Sequence, residues 1–198
     1  MDWFAGLVKL LTGVKGVWHE VASEAREQRI YFANHSSHLD SLVLWAALPP
    51  AQRARVRPAA AKDYWGKPGL RARIARLFHA VLIDRARDQT CADPLGPLDE
   101  ALTTGDSLII FPEGTRNPEG QVQQFKSGLY RLAQHHPKVA LVPVYLENLH
   151  RILPKGWLLP VPLTGAAVFG RALTLESGES KQDFLARARE AVLALRRT

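Results

Sequence analysis

The chain has 198 residues, 46% of them hydrophobic and 23% charged, with one cysteine and a formal net charge of +7. That length supports one domain with a sizeable core, and the composition excludes a disordered or low-complexity chain. The lone Cys91 excludes an intrachain disulfide framework and fits a reducing compartment. The positive surplus favours anionic partners: nucleic acid, an acidic carrier protein, phosphorylated small molecules or anionic lipid headgroups. No zinc-finger spacing, RNA-binding aromatic signature or obvious recognition helix accompanies it, so nucleic acid is not an expected partner.

The chain opens on MDWFAGLVKLLTGVKGVWHEV. As a helix this would gather Trp3, Phe4, Leu7, Val8, Leu11, Val14 and Trp18 on one side, with Asp2, Lys9, Thr12 and Lys15 more to the other. Lys9 and Lys15 interrupt the apolar run, which falls short of the ~20 residues that span a bilayer. Neither a basic start nor a small-residue cleavage site marks a signal peptide. Residues 1–25 are therefore expected to form an amphipathic membrane-interface segment ahead of a domain over 26–198. A helix packed on the domain's own core is the alternative, and Gly6, Gly13 and Gly16 weaken any helix here.

Further along, short apolar runs alternate with helical patterns. RIYFAN (29–34) leads into SHLDSLVLWAAL, and RVRPAAA (55–61) into GLRARIARLF. AVLI (80–83) precedes DPLGPLDEALTTG, where Asp93 is a plausible N-cap, Pro94 an N1 residue and Gly105 a C-cap. SLIIF (107–111) precedes a loop and then KSGLYRLAQHH. VALVPVYL (139–146) reads as a strand, AAVFGRALTL (166–175) as an edge strand or hairpin, and KQDFLARAREAVLALRR as a closing amphipathic helix. The alternation predicts an α/β fold, a single domain with a largely parallel central sheet flanked by helices. Sites in such sheets gather beyond the carboxyl ends of the strands, where NHSSHLD, IDRARD and FPEGTR all fall.

His35 and Asp40 are five residues apart. On one continuous helix they would diverge by ~140°, so His35 belongs in the turn and Asp40 in the first helical turn, curling back toward it. Asn34, Ser36 or Ser37 would cap that helix. A carboxylate against an imidazole fixes its tautomer and stabilises the imidazolium, which suits a general base. His38 is the alternative base. No H-x-x-x-H or second His/Cys pair supplies a metal site, and no G-x-S-x-G elbow supplies a serine nucleophile.

NHSSHLD resembles the H-x-x-x-x-D block of the glycerolipid acyltransferases, the family that includes 1-acylglycerol-3-phosphate acyltransferases. VLIDR (81–85), FPEGTR (111–116) and LVPVYL (141–146) resemble that family's following blocks in order and approximate spacing, so the likeness covers roughly residues 30–146. It implies a glycerol-3-phosphate acyltransferase-like domain over 26–198, with His35 the base and Asp40 its orienting carboxylate. It also implies a site for the acceptor's phosphate at Arg85, Glu113, Gly114, Thr115 and Arg116, with Glu113 ordering the site. Lys126, in FKSG at the next helix start, is a further candidate phosphate contact, because a cation there opposes the helix dipole unless an anion is shared.

The implied reaction passes a fatty acyl group from acyl-CoA or an acyl carrier protein thioester to the hydroxyl of a lysophospholipid, 1-acylglycerol-3-phosphate foremost. It would need no cofactor beyond the thioester co-substrate, and its oxyanion would be held by backbone donors. Another lysolipid acceptor, a lipid-binding protein and a thioester hydrolase are the alternatives. Many members carry clear N-terminal membrane helices, whereas this chain has at most a short amphipathic one. Peripheral attachment at the cytoplasmic face is expected, helped by RILPKGWLLPVPL (151–163) and by Trp65 among Lys62, Lys67, Arg71, Arg73 and Arg76.

Overall fold

Residues two apart along the central strands share a face of the sheet, and this period sorts the core into two layers. The computed structural model describes residues 2–19, 27–37, 39–84, 93–117, 119–147 and 165–196. Its strands are β1 (Lys15–Trp18), β2 (Arg29–Ala33), β3 (Val56–Ala61), β4 (Val81–Ile83), β5 (Ser107–Ile110), β6 (Ala140–Glu147) and β7 (Ala166–Phe169). Its helices are α1 (Asp2–Thr12), α2 (Asp40–Ala47), α3 (Pro50–Arg53), α4 (Lys62–Trp65), α5 (Leu70–Leu77), α6 (Gly96–Thr103), α7 (Gly128–His135) and α8 (Lys181–Leu193). Tyr31, Ala33, Ile109, Val142, Val144 and Phe169 face a layer built with α1, α2 and α5. Ile30, Phe32, Leu108, Ile110, Leu141 and Val168 face the opposite layer, built with α6, α7 and α8.

The strands form one sheet in the order β1-β7-β6-β2-β5-β3-β4. From β6 to β4 all neighbours are parallel, as the alternation of strand and helix predicts. β7 runs antiparallel to β6, and β1 lies parallel to β7 on its far side. Of the edge strand or hairpin expected over 166–175, Ala166–Phe169 form an interior strand with β1 as the edge, and Leu173 adds an antiparallel bridge to Leu141 of β6.

The N-terminal segment departs from the continuous helix considered above. α1 stops at Thr12, Gly13 adopts a left-handed φ of +61°, and β1 follows. Trp18 leaves the helical side and stacks flat on Phe169, with ring centroids 3.9 Å apart. β1 lies close to α2: a Cβ on Gly16 would stand 2.8 Å from the Ala47 carbonyl oxygen. α1 packs Ala5 and Val8 into the core and its Phe4 ring against Phe78. α6 also begins later than expected, at Gly96. The Asp93 carboxylate accepts the Leu95 N–H in a turn ahead of the helix.

The C-terminal end of α2, whose first residue is Asp40, is held by Arg53. This buried guanidinium donates through Nη1 to the carbonyl of Leu48 at 2.6 Å and to that of Ala46 at 3.4 Å, and sits over the Trp45 ring. Removing it leaves carbonyls without a donor inside the fold. Arg53→Ala is expected to lower stability by about 2–4 kcal/mol in urea unfolding. A loss below about 0.5 kcal/mol would show that Arg53 does not hold α2.

Candidate active site

β2 and β5 are adjacent and parallel, with Phe32 beside Ile110, so the turns that follow them leave the sheet side by side. The first carries His35 and the second is the stretch Phe111–Arg116. Asn34 begins the first turn by extending the sheet with its side chain. Its amide donates to the Leu146 carbonyl at 3.2 Å and its oxygen accepts the Leu146 N–H at 2.8 Å. It does not cap α2, and neither Ser36 nor Ser37 is its N-cap. The N-cap is Leu39, whose own N–H reaches the Ser37 hydroxyl.

Asp40 is wholly buried, and its Oδ2 gathers three donors: His35 Nδ1 at 2.8 Å, the Ser36 N–H at 2.7 Å and the Ser37 N–H at 2.8 Å. Its Oδ1 is buried with no hydrogen-bond partner among the described residues. The bond at Nδ1 leaves Nε2 as the ring nitrogen available to a substrate, and His35 lines a cleft of about 520 Å³.

The second turn closes with the Gly114 N–H on the Phe111 carbonyl, at a Gly114 φ of +70°. Glu113 is 2% exposed and points away from the cleft. Its Oε1 accepts the His35 N–H at 2.8 Å and its Oε2 the Gln123 N–H at 3.2 Å. Glu113 thus ties the His35 turn to Gln123 through backbone N–H groups. Gly114, Thr115, Arg116 and Lys126 do line the cleft. Lys126 lies over Gly114, where a Cβ would stand 2.8 Å from Nζ. Neither Arg116 nor Lys126 has a side-chain partner among the described residues. Arg85, His38, Cys91 and the stretch 151–163 lie outside the described residues.

Two features escaped the sequence reading. The Phe111 ring stacks on the His35 imidazole, and the Asn117 N–H donates to the His35 carbonyl at 2.8 Å. In addition, Asp63, Tyr64 and Trp65 of α4 join the cleft wall, and Ala59, Ile83, Leu98 and Leu132 give it an apolar side. Among the described residues no three His, Cys, Asp or Glu side chains are disposed to hold a metal.

Burial pushes the Glu113 carboxyl above the usual carboxylate range, and the N–H bonds from His35 and Gln123 pull it part of the way back. The folded state then holds this proton more tightly than the unfolded state. Its contribution to stability is full below the unfolded carboxyl value and is lost as pH rises through the raised folded value. Glu113→Gln is expected to flatten that part of the stability–pH curve in urea unfolding. It should also cost about 1–3 kcal/mol near neutrality, since an amide cannot accept both N–H groups. An unchanged pH slope in the variant would exclude Glu113 as its source.

A model of the family described as Acyltransferase matches residues 18–147. The chain is 32% identical over 164 residues to the 1-acyl-sn-glycerol-3-phosphate acyltransferase of Limnanthes alba, covering 80% of this chain and 55% of that protein. It is 31% identical over 138 residues to 1-acyl-sn-glycerol-3-phosphate acyltransferase alpha of Homo sapiens, covering 68% of this chain and 45% of that one. The chain thus spans about half the length of the curated relatives it matches. The crystal structure of the 1-acyl-sn-glycerophosphate acyltransferase PlsC from Thermotoga maritima has the same fold, with a TM-score of 0.74 at 22% identity over 98% of this chain and 76% of that one. The family match over residues 18–147 takes in both the His35 turn and the Phe111–Arg116 turn, and the chain belongs to the acyltransferase family.

Proposed function

We propose that the chain transfers a fatty acyl group from an acyl thioester to the free hydroxyl of a lysophospholipid, 1-acylglycerol-3-phosphate foremost, giving phosphatidic acid. The observation that carries this reading is the His35–Asp40 pair at the wall of a cleft that also holds two cations, Arg116 and Lys126, without a side-chain partner among the described residues. A phosphate monoester suits those cations, Arg116 offering a bidentate fork and Lys126 a point charge at the start of α7. The relatives, 1-acyl-sn-glycerol-3-phosphate acyltransferases of Limnanthes alba and Homo sapiens, support the same acceptor.

In this reading His35 Nε2 takes the hydroxyl proton as the acceptor oxygen attacks the thioester carbonyl carbon. Asp40 holds the other edge of the ring and stabilises the imidazolium. The tetrahedral intermediate then collapses, the carbon–sulfur bond breaks, and the thiolate leaves with the proton that His35 returns. Products are an ester and a free thiol. The donor is coenzyme A or acyl carrier protein, and the apolar side of the cleft supports burial of a fatty chain.

The chain works, we infer, at the cytoplasmic face of a membrane without crossing it. No helix among the described residues is long and apolar enough to span a bilayer. α1, however, leaves Trp3 75%, Leu10 81% and Leu11 50% exposed, while its opposite side packs on the domain. An outward apolar stripe on a helix already anchored inward suits the headgroup–acyl boundary.

The reaction is tested with purified protein, acyl-CoA or acyl carrier protein thioester, and a panel of lysophospholipids in mixed micelles, followed by mass spectrometry. A two-chain product is expected that falls ~10²–10⁴-fold in His35→Ala. Arg116→Ala should raise KM for a phosphate-monoester acceptor more than it lowers kcat. Release of free fatty acid at the same rate with and without lysolipid would replace transfer by hydrolysis. Attachment is tested by sedimentation with vesicles containing phosphatidylglycerol, where Leu10→Glu should reduce binding by roughly tenfold or more. Undiminished binding of that variant would remove α1 from the docking surface.

A further inference from the structure

His35 is held at four points. Asp40 takes Nδ1, Glu113 accepts its N–H, Asn117 donates to its carbonyl, and Phe111 lies on the ring. The first three fix the backbone and one edge of the imidazole. A single hydrogen bond at Nδ1 still allows the ring to tilt about the axis of that bond. Such a tilt would swing Nε2 away from a bound hydroxyl, and small displacements of a reacting atom are costly in rate. The contact against the flat face of the ring is the one that opposes it.

That contact is the Phe111 ring, with centroids 4.2 Å apart and planes inclined by 19°. Phe111 follows directly on β5, in the middle of the parallel strands, and its carbonyl closes the turn with Gly114. Its position is therefore set by the sheet. It is half-buried and lines the cleft beside His35, where a residue serving the core alone would be turned inward. The face of a benzene ring carries negative potential, and a cationic ring laid over it is attracted. The imidazole becomes such a ring when it takes up the acceptor's proton. The attraction is therefore stronger in the transition state than before it, which is the condition for raising kcat.

We propose that Phe111 is the positioning residue of His35, its ring fixing the plane of the imidazole and stabilising the imidazolium that forms during acyl transfer. This rests on the acyltransferase reading above, and it adds a role for an aromatic side chain acting through the histidine. It also gives the Phe111–Arg116 turn two duties: one end steadies the base while the other faces the acceptor.

The test replaces Phe111 by leucine and, separately, by 3,4,5-trifluorophenylalanine, which keeps the ring's shape and weakens the negative potential of its face. Phe111→Leu is expected to lower kcat by roughly tenfold at saturating lysolipid, with acceptor KM changed by less than about twofold. The fluorinated ring should lower kcat by about threefold to fivefold with an unchanged melting temperature, a response that shape alone would not give. In parallel, 13C-histidine-labelled protein without substrate is examined by NMR, the His35 signal being assigned from its loss in His35→Ala. The His35 Cε1–H resonance should lie upfield in the native protein and move downfield in Phe111→Leu. An unmoved resonance, or a kcat indifferent to fluorination, would overturn the proposal. Should Phe111→Leu fail to fold, the fluorinated protein decides the matter. Native protein inactive on every lysolipid would instead sink the acyltransferase reading, and the NMR comparison would still decide the stacking.

Discussion

A carboxylate with no exposure to solvent stands at the start of α2, and much of the site is arranged around it. Burying a carboxylate is costly unless donors replace the lost water. Asp40 meets that cost with three donors on one oxygen, two from the backbone of the turn and one from the histidine. The Ser36 and Ser37 amides wrap the turn around the carboxylate, and the wrapped turn brings His35 back over it. Without Asp40 the turn would lose the partner for two amides and the histidine its fixed edge. Arg53 acts on the same helix from its far end, so both termini of α2 are tied down by charged side chains.

The second support comes from strand order. Because β2 and β5 pair directly, the Phe111–Arg116 turn rises beside His35 and grips its backbone N–H and its ring. A buried Glu113 on a backbone N–H, a ring on a ring and an Asn117 amide on a carbonyl make one rigid unit of two loops distant in sequence. The cations on that unit face the cleft, so the groups suited to an anion and the group suited to a proton share one foundation. Rigid placement of this kind is what positional catalysis requires.

Much of this was legible in the residues. The parallel strands announced themselves as short apolar runs followed by helical patterns, and a five-residue gap fits a histidine and a carboxylate that meet only if a turn separates them. Other parts were not. KGVW reads as the tail of an amphipathic helix, and nothing local reveals that Gly13 breaks the helix or that Trp18 finds Phe169 far along the chain. AAVF looks like an edge because the strand outside it comes from the other end of the sequence. Glu113 sits in a motif whose residue types suggest an anion site, yet the direction of a side chain in a turn depends on its neighbour strand. Phe111 ends an apolar run, so it looks like core, and only the geometry sets it against the imidazole.

The pairing of β1 with β7 has a consequence for how the chain is made. Residues 15–18 are made ahead of β2 to β6, but their partner strand is 166–169. The edge of the sheet therefore closes across some 150 residues, only after β2 to β6 have been synthesised. α1 need not wait for it, because its Phe4 packs on Trp45 of α2 and on Phe78, both made well before β7. The order of synthesis thus lets the layer around α1 and α2 begin to form while the edge strand still lacks its partner.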